Sequence, residues 1–125
     1  MKIKFLLGVF LLLSCGVSQA GEANSWRYLG EFKATAYCSC SKCCGKSDGI
    51  TASGKQASKG TIACNWLPFG SKLSINGKLY TVQDRGAKSI FGSKKNHIKA
   101  LDIWFPTHQE ALNYGRRQIK VWQLT

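Results

Sequence analysis

Apolar and polar positions alternate along this chain in short bursts, each long enough for one small strand. In residues 26–37, Phe32, Ala34 and Ala36 alternate with Lys33, Thr35 and Tyr37, the period of two that a strand with one buried face requires. Residues 61–64 are small and apolar enough for a buried strand, and Leu67-Pro68-Phe69-Gly70 after them reads as a turn. Residues 72–75 and 78–82 flank Asn76-Gly77, the strongest short-range signal for a hairpin. Residues 100–105 form a further strand. A last one runs over 118–124, where Ile119, Val121 and Gln123 alternate with Lys120, Trp122 and Leu124.

The segments between these strands have a different composition. Residues 45–60 are rich in Gly, Ser and Lys and read as a surface loop centred on Thr51-Ala52-Ser53-Gly54. Residues 87–99 carry Gly92 and four lysines and read as a mobile excursion. After Phe105, Pro106 breaks the strand, Thr107 and Glu110 have capping-box spacing, and residues 109–114 make about two helical turns closed by Gly115. Six short strands with one or two short helices predict a mainly β fold, a small barrel or sandwich.

At 125 residues the chain has room for one domain. Residues 1–20 read as a secretory signal: Lys2 and Lys4 precede an apolar run, and Ser18-Gln19-Ala20 is a small-residue cleavage site. Leu12-Leu13-Ser14-Cys15 supports a second reading, a lipobox whose Cys15 would be acylated and would hold the protein on a membrane. Residues 21–30 form an N-terminal lead and 31–125 the folded domain. The protein is therefore expected to be exported, to the periplasm, the cell wall or the medium.

Eighteen Lys and Arg face six Asp and Glu, a net charge of +12, and loss of Lys2 and Lys4 with the signal leaves +10. That balance suits a polyanionic partner outside the cell or simply a soluble basic surface. Five cysteines follow residue 20, and Cys38, Cys40, Cys43 and Cys44 are packed together. In an exported protein this density predicts two disulfides stapling a small core, with Cys64 one partner and the pairing open. The odd number also allows a free thiol, a dimer or a metal. Four thiolates this close have the chemistry to bind zinc, but structural zinc sites usually draw paired ligands from separate segments. His97 and His108 are too few and too far apart in the chain to suggest a metal site, and both are expected on the surface.

The most unusual acid is Asp102, set in the apolar run Ala100-Leu101-Asp102-Ile103-Trp104-Phe105. On a strand it shares a face with Trp104 while Leu101, Ile103 and Phe105 point to the core. Apolar surroundings raise the pKa of such a carboxyl, which suits a general acid.

Several segments together resemble the three-aspartate domain of bacterial cell-wall proteins. They are Ala34-Thr35-Ala36-Tyr37-Cys38, Cys43-Cys44-Gly45-Lys46, Thr51-Ala52-Ser53-Gly54, Gly60-Thr61-Ile62-Ala63, the words 67–73 and 110–115, Asp84 with Gly86, and Leu101-Asp102-Ile103. Their order matches the family's. The resemblance implies a six-stranded double-psi β-barrel with an open groove for a glycan strand, and lytic transglycosylase activity on peptidoglycan without a cofactor. Carried over by position, Asp102 is the catalytic acid/base and Asp84 the second groove carboxylate, unless Asp84 pairs with Arg85 or caps a turn.

Thr51, Ser53 and Gly54 are candidates to bind sugar hydroxyls, while Tyr37 and Trp104 either stack on sugar faces or fill the core. The first family aspartate is replaced by Asn65, which donates and accepts hydrogen bonds without ionising and is assigned to orienting substrate or a neighbour. The seventeen residues between Asp84 and Asp102 exceed the family's usual link. Asp84-Arg85-Gly86 also resembles the corresponding word of the rare-lipoprotein-A family, which keeps open a non-catalytic glycan-binding barrel, and a glycosidase that uses water is the nearest enzymatic rival. The implied partners are peptidoglycan strands and, through the basic charge, anionic wall polymers. A monomer is expected, with no nucleic-acid partner.

Overall fold

The first alternating run forms one continuous strand, β1 (Trp26–Tyr37), in which Phe32 and Ala34 are fully buried while Glu31 and Lys33 are exposed. The computed structural model describes residues 25–44 and 48–125, so the signal segment 1–20, Cys15 and Gly45-Lys46 lie outside the described residues. β1 starts at Trp26, so part of the segment assigned to the lead belongs to the fold. Five more strands follow: β2 (Thr61–Ala63), β3 (Lys72–Ile75), β4 (Lys78–Asp84), β5 (Ala100–Trp104) and β6 (Arg117–Leu124).

They close into a six-stranded barrel in the order β1-β5-β2-β4-β3-β6, with β6 returning to β1. Two pairings are parallel, β1 with β5 and β2 with β4, and the others are antiparallel. Closure gives each of the six strands a neighbour on both sides. The inward positions of all six strands share one core of Phe32, Ile62, Leu73, Val82, Leu101 and Val121, each with no exposed surface. The mainly β fold expected from the pattern is observed, and of its two alternatives, barrel or sandwich, the six strands take the closed barrel.

The local signals explain how the strands connect. Asn76 and Gly77 both take positive φ, 52° and 76°, which is what a two-residue turn matching the strand twist needs. Thr107 caps the helix α3 (His108–Tyr114) by accepting from the Glu110 N–H at 3.1 Å, and Gly115 ends it at φ 67° with its N–H on the Ala111 carbonyl. Two single turns were not read from the sequence, α1 (Ser41–Cys44) and α2 (Lys88–Phe91). At the ends of the chain, Trp26 pairs with Leu124, and the Thr125 N–H donates to the Ser25 carbonyl at 2.9 Å.

Three expectations are corrected here. Residues 87–99 are folded onto the barrel rather than standing off it: Phe91 is buried, Gly92 bridges to His97, and the Trp66 indole N–H donates to the Ile98 carbonyl at 2.8 Å while its ring stacks on His97 and Phe32. No disulfide forms among Cys38, Cys40, Cys43, Cys44 and Cys64; all five are free thiols. Cys64 is buried in the barrel core, packed with apolar side chains instead of a partner sulfur. His97 is exposed as expected, but His108 is half-buried with its Nδ1 against Cys38, Cys40 and Cys43.

Candidate active site

One row of register partners crosses four adjacent strands: Thr35 on β1, Asp102 on β5, Ala63 on β2 and Asp84 on β4. Partners in register point to the same face of a sheet. The two aspartates therefore flank Ala63, two strand spacings apart, which puts their Cα atoms about 10 Å from each other. Both line one open cleft of about 540 Å³, together with Tyr37, Thr51, Arg85 and Phe91.

Strand alternation alone would not put Asp84 there. Val82 points into the core, and on a regular strand Asp84 would follow it inward. The register shifts between Ile62 and Ala63, so that Ile62 pairs with Val82 but Ala63 pairs with Asp84, and Gln83 is skipped. The extra residue re-aims Asp84 to the outer face beside Ala63.

Three donors fix the Asp84 carboxylate. The Tyr37 hydroxyl donates to Oδ2 at 2.7 Å, and the backbone N–H groups of Ala52 and Arg85 each donate to Oδ1 at 2.9 Å. Burial and the adjacent Asp84 push the Tyr37 phenol far above its ordinary range, so it remains a donor. The expected alternative of an Asp84–Arg85 ion pair does not occur: the Arg85 guanidinium donates to the Cys64 carbonyl at 2.6 Å and lies over the Phe69 ring at 3.9 Å.

Asp102 sits in a different environment. Its Oδ1 accepts from the Thr35 hydroxyl at 3.0 Å, and Oδ2 has no hydrogen-bond partner among the described residues. Burial against the barrel pushes its pKa up to about 6; the charge of Asp84 adds to the rise and the Thr35 hydrogen bond opposes it. One carboxyl group is thus held as an acceptor by three donors, while its neighbour lines the same cleft with one oxygen that has no hydrogen-bond partner among the described residues. Two carboxyl groups in environments this different are the usual basis for separate acid and charge-stabilising roles.

The other sequence candidates divide. Tyr37 and Thr51 line the cleft, but Tyr37 is committed to Asp84 and Thr51 donates to the Lys55 carbonyl at 2.9 Å. The Ser53 hydroxyl donates to the Gln83 side chain at 2.9 Å, and Gly54, at φ 86°, serves the turn that closes on Thr51. This loop contributes to the site chiefly through the Ala52 N–H on Asp84, which no side-chain pattern reveals.

Trp104 does not enter the cleft. Its indole N–H donates to Ser39 at 2.8 Å, and its ring lines a separate cleft with Tyr80, Phe105 and Glu110. Asn65 is also elsewhere. Its Nδ2 donates to the carbonyls of Gly86 and Gly92, both at 2.9 Å, and its Oδ1 accepts from the Gly86 N–H at 2.8 Å. The amide is consumed in tying the long link between the aspartates to the barrel, so it holds a neighbour and not substrate. No protein-family model matches the chain, and no curated protein matches it, so the functional reading rests on these residues.

Proposed function

We propose that the protein is an exported lytic transglycosylase that cuts peptidoglycan glycan strands, with Asp102 as its general acid and then its general base. The observation that carries this reading is a cleft-lining carboxyl group whose pKa burial raises to about 6 and whose Oδ2 has no hydrogen-bond partner among the described residues, beside a second carboxyl group held by three donors. Protonated Asp102 gives its proton to the glycosidic oxygen as the bond to C1 breaks. The Asp102 carboxylate so formed takes the proton of the sugar's own C6 hydroxyl, whose oxygen closes on C1 to give a 1,6-anhydro end. Asp84 faces the positive charge that develops at C1.

The eight family-like words support the same reading. The departure at Asn65 lies outside the cleft and so weighs little against it. The nearest enzymatic rival is a hydrolase, in which a water replaces the C6 hydroxyl as the group that attacks C1. Purified sacculi incubated with the protein distinguish the cases by mass spectrometry of the released fragments. Anhydro ends are expected; reducing ends would mean hydrolysis, and binding without release would leave a glycan-binding barrel.

The pKa of Asp102 sets the pH profile. The acid form is the active one, so kcat/KM on sacculi or soluble glycan chains should be level below about pH 6. It should then fall roughly tenfold per pH unit as Asp102 ionises above its pKa of about 6. An activity that instead rises from pH 6 to 9 would remove Asp102 from the role of acid.

A further inference from the structure

We infer that Cys38, Cys40, Cys43 and His108 form a structural zinc site, separate from the carboxylate pair. Their ligand atoms all lie within 4.8 Å of one another. The His108 Nδ1 is 3.6 Å from the Cys38 sulfur, 3.5 Å from Cys40 and 3.4 Å from Cys43, and the Cys38 sulfur is 3.0 Å from Cys40 and 3.4 Å from Cys43. A zinc ion bound tetrahedrally at its usual Zn–S and Zn–N lengths separates sulfur from nitrogen by about 3.5 Å and sulfur from sulfur by about 3.8 Å. The nitrogen therefore already stands at tetrahedral distance from three sulfurs, and the Cys38 sulfur must draw back about 0.8 Å from Cys40 and about 0.4 Å from Cys43 to admit the ion. A disulfide explains this geometry poorly, because it joins two sulfurs at about 2.05 Å and gives neither the third thiol nor the imidazole a role.

The chain reaches this arrangement from two segments. Cys38 follows the end of β1, Cys40 immediately precedes α1 and Cys43 lies within it, and the Cys43 N–H closes that turn on the Cys40 carbonyl at 3.1 Å. His108 arrives 65 residues beyond Cys43, at the first position of α3, which Thr107 fixes by its cap. Cys44 is outside the set, its thiol donating to the Cys38 carbonyl at 3.1 Å, and Cys64 is buried in the barrel core. Four protein ligands fill a tetrahedral coordination shell, which is the pattern of a structural and not a catalytic zinc. Binding by three thiolates and a neutral imidazole releases the thiol protons to solvent and leaves the site with a net charge of −1.

The ion clips the 38–44 loop to α3. In a barrel this small, such a clip does the work that disulfides would otherwise do. It also stiffens the cleft, because Cys43 and Cys44 line the same cavity as the two aspartates.

The test is titration of the reduced, metal-free protein with Co²⁺ and then Zn²⁺. One equivalent of Co²⁺ is expected to bind, with the absorption bands of a tetrahedral thiolate site, and Zn²⁺ should displace it and raise the thermal midpoint. Cys44→Ser and Cys64→Ser should bind as the wild type does. His108→Ala should weaken binding at least a hundredfold, and His108→Cys, which restores four ligands, should recover it. Substoichiometric binding, an octahedral cobalt spectrum, loss of binding in Cys44→Ser equal to that in His108→Ala, or an intramolecular disulfide among Cys38, Cys40 and Cys43 in the protein as isolated would each overturn the assignment.

Discussion

Asp102→Asn is expected to lower the release of anhydro-muropeptides from sacculi by two to four orders of magnitude while leaving sacculus binding in place. An amide has nearly the shape of the carboxylic acid but cannot give up a proton, and removal of a positioned general acid typically costs about 10²–10⁴ in rate. The folded protein should respond in the opposite direction. The Asp102 pKa is raised in the fold to about 6 from 3.8, so the charged form is disfavoured there and stability is lost as pH rises through that interval. The amide carries no charge, so at pH 8 the variant should be more stable than the wild type by ~3 kcal/mol, and below pH 4 the gain should vanish. Urea denaturation at the two pH values checks this. A variant both inactive and destabilised at pH 8 would point to Asp102 as a structural group.

Asn65→Asp, which restores the aspartate that the family resemblance leads one to expect, should harm the protein. The two Nδ2 hydrogen bonds to the Gly86 and Gly92 carbonyls have no donor in a carboxylate, which would also face both carbonyl oxygens. Losing both bonds with the acceptors left short of partners costs about 2–4 kcal/mol. The introduced carboxyl group would have its pKa raised in the fold, so the deficit should be greatest at neutral pH and shrink on acidification. Chemical denaturation at pH 7 and pH 4 measures both parts. Equal or greater stability at pH 7 would mean that the Asn65 clamp contributes nothing.

What was legible in the sequence was whatever short-range chemistry determines. Asn76-Gly77 set its hairpin, Thr107 and Gly115 set the ends of α3, and alternation around Leu101 and Ile103 put Asp102 on the outer face. The rest depended on which strand pairs with which. Alternation from Val82 sends Asp84 the wrong way, and only the register with β2 turns it outward. The disulfide expectation counted thiols and inferred a compartment, but the place of His108 beside them is a property of the closed barrel. Of the two roles open to Asn65, the sequence could not select the neighbour over the substrate, because its partners lie in a segment whose glycine and lysines suggested motion, whereas Phe91 and Trp66 hold that segment down. Trp104 shares a face with Asp102 by parity, yet its indole N–H is directed to Ser39 and its ring to another cleft.

The pairing of Trp26 with Leu124, extended by Ser25 and Thr125, has a mechanical consequence. Both ends of the described barrel leave from the same end of one antiparallel ladder, so tension applied between them loads the β1–β6 hydrogen bonds one after another rather than all in parallel. A pull on its ends would therefore peel the barrel open like a zipper, even though its core is closed.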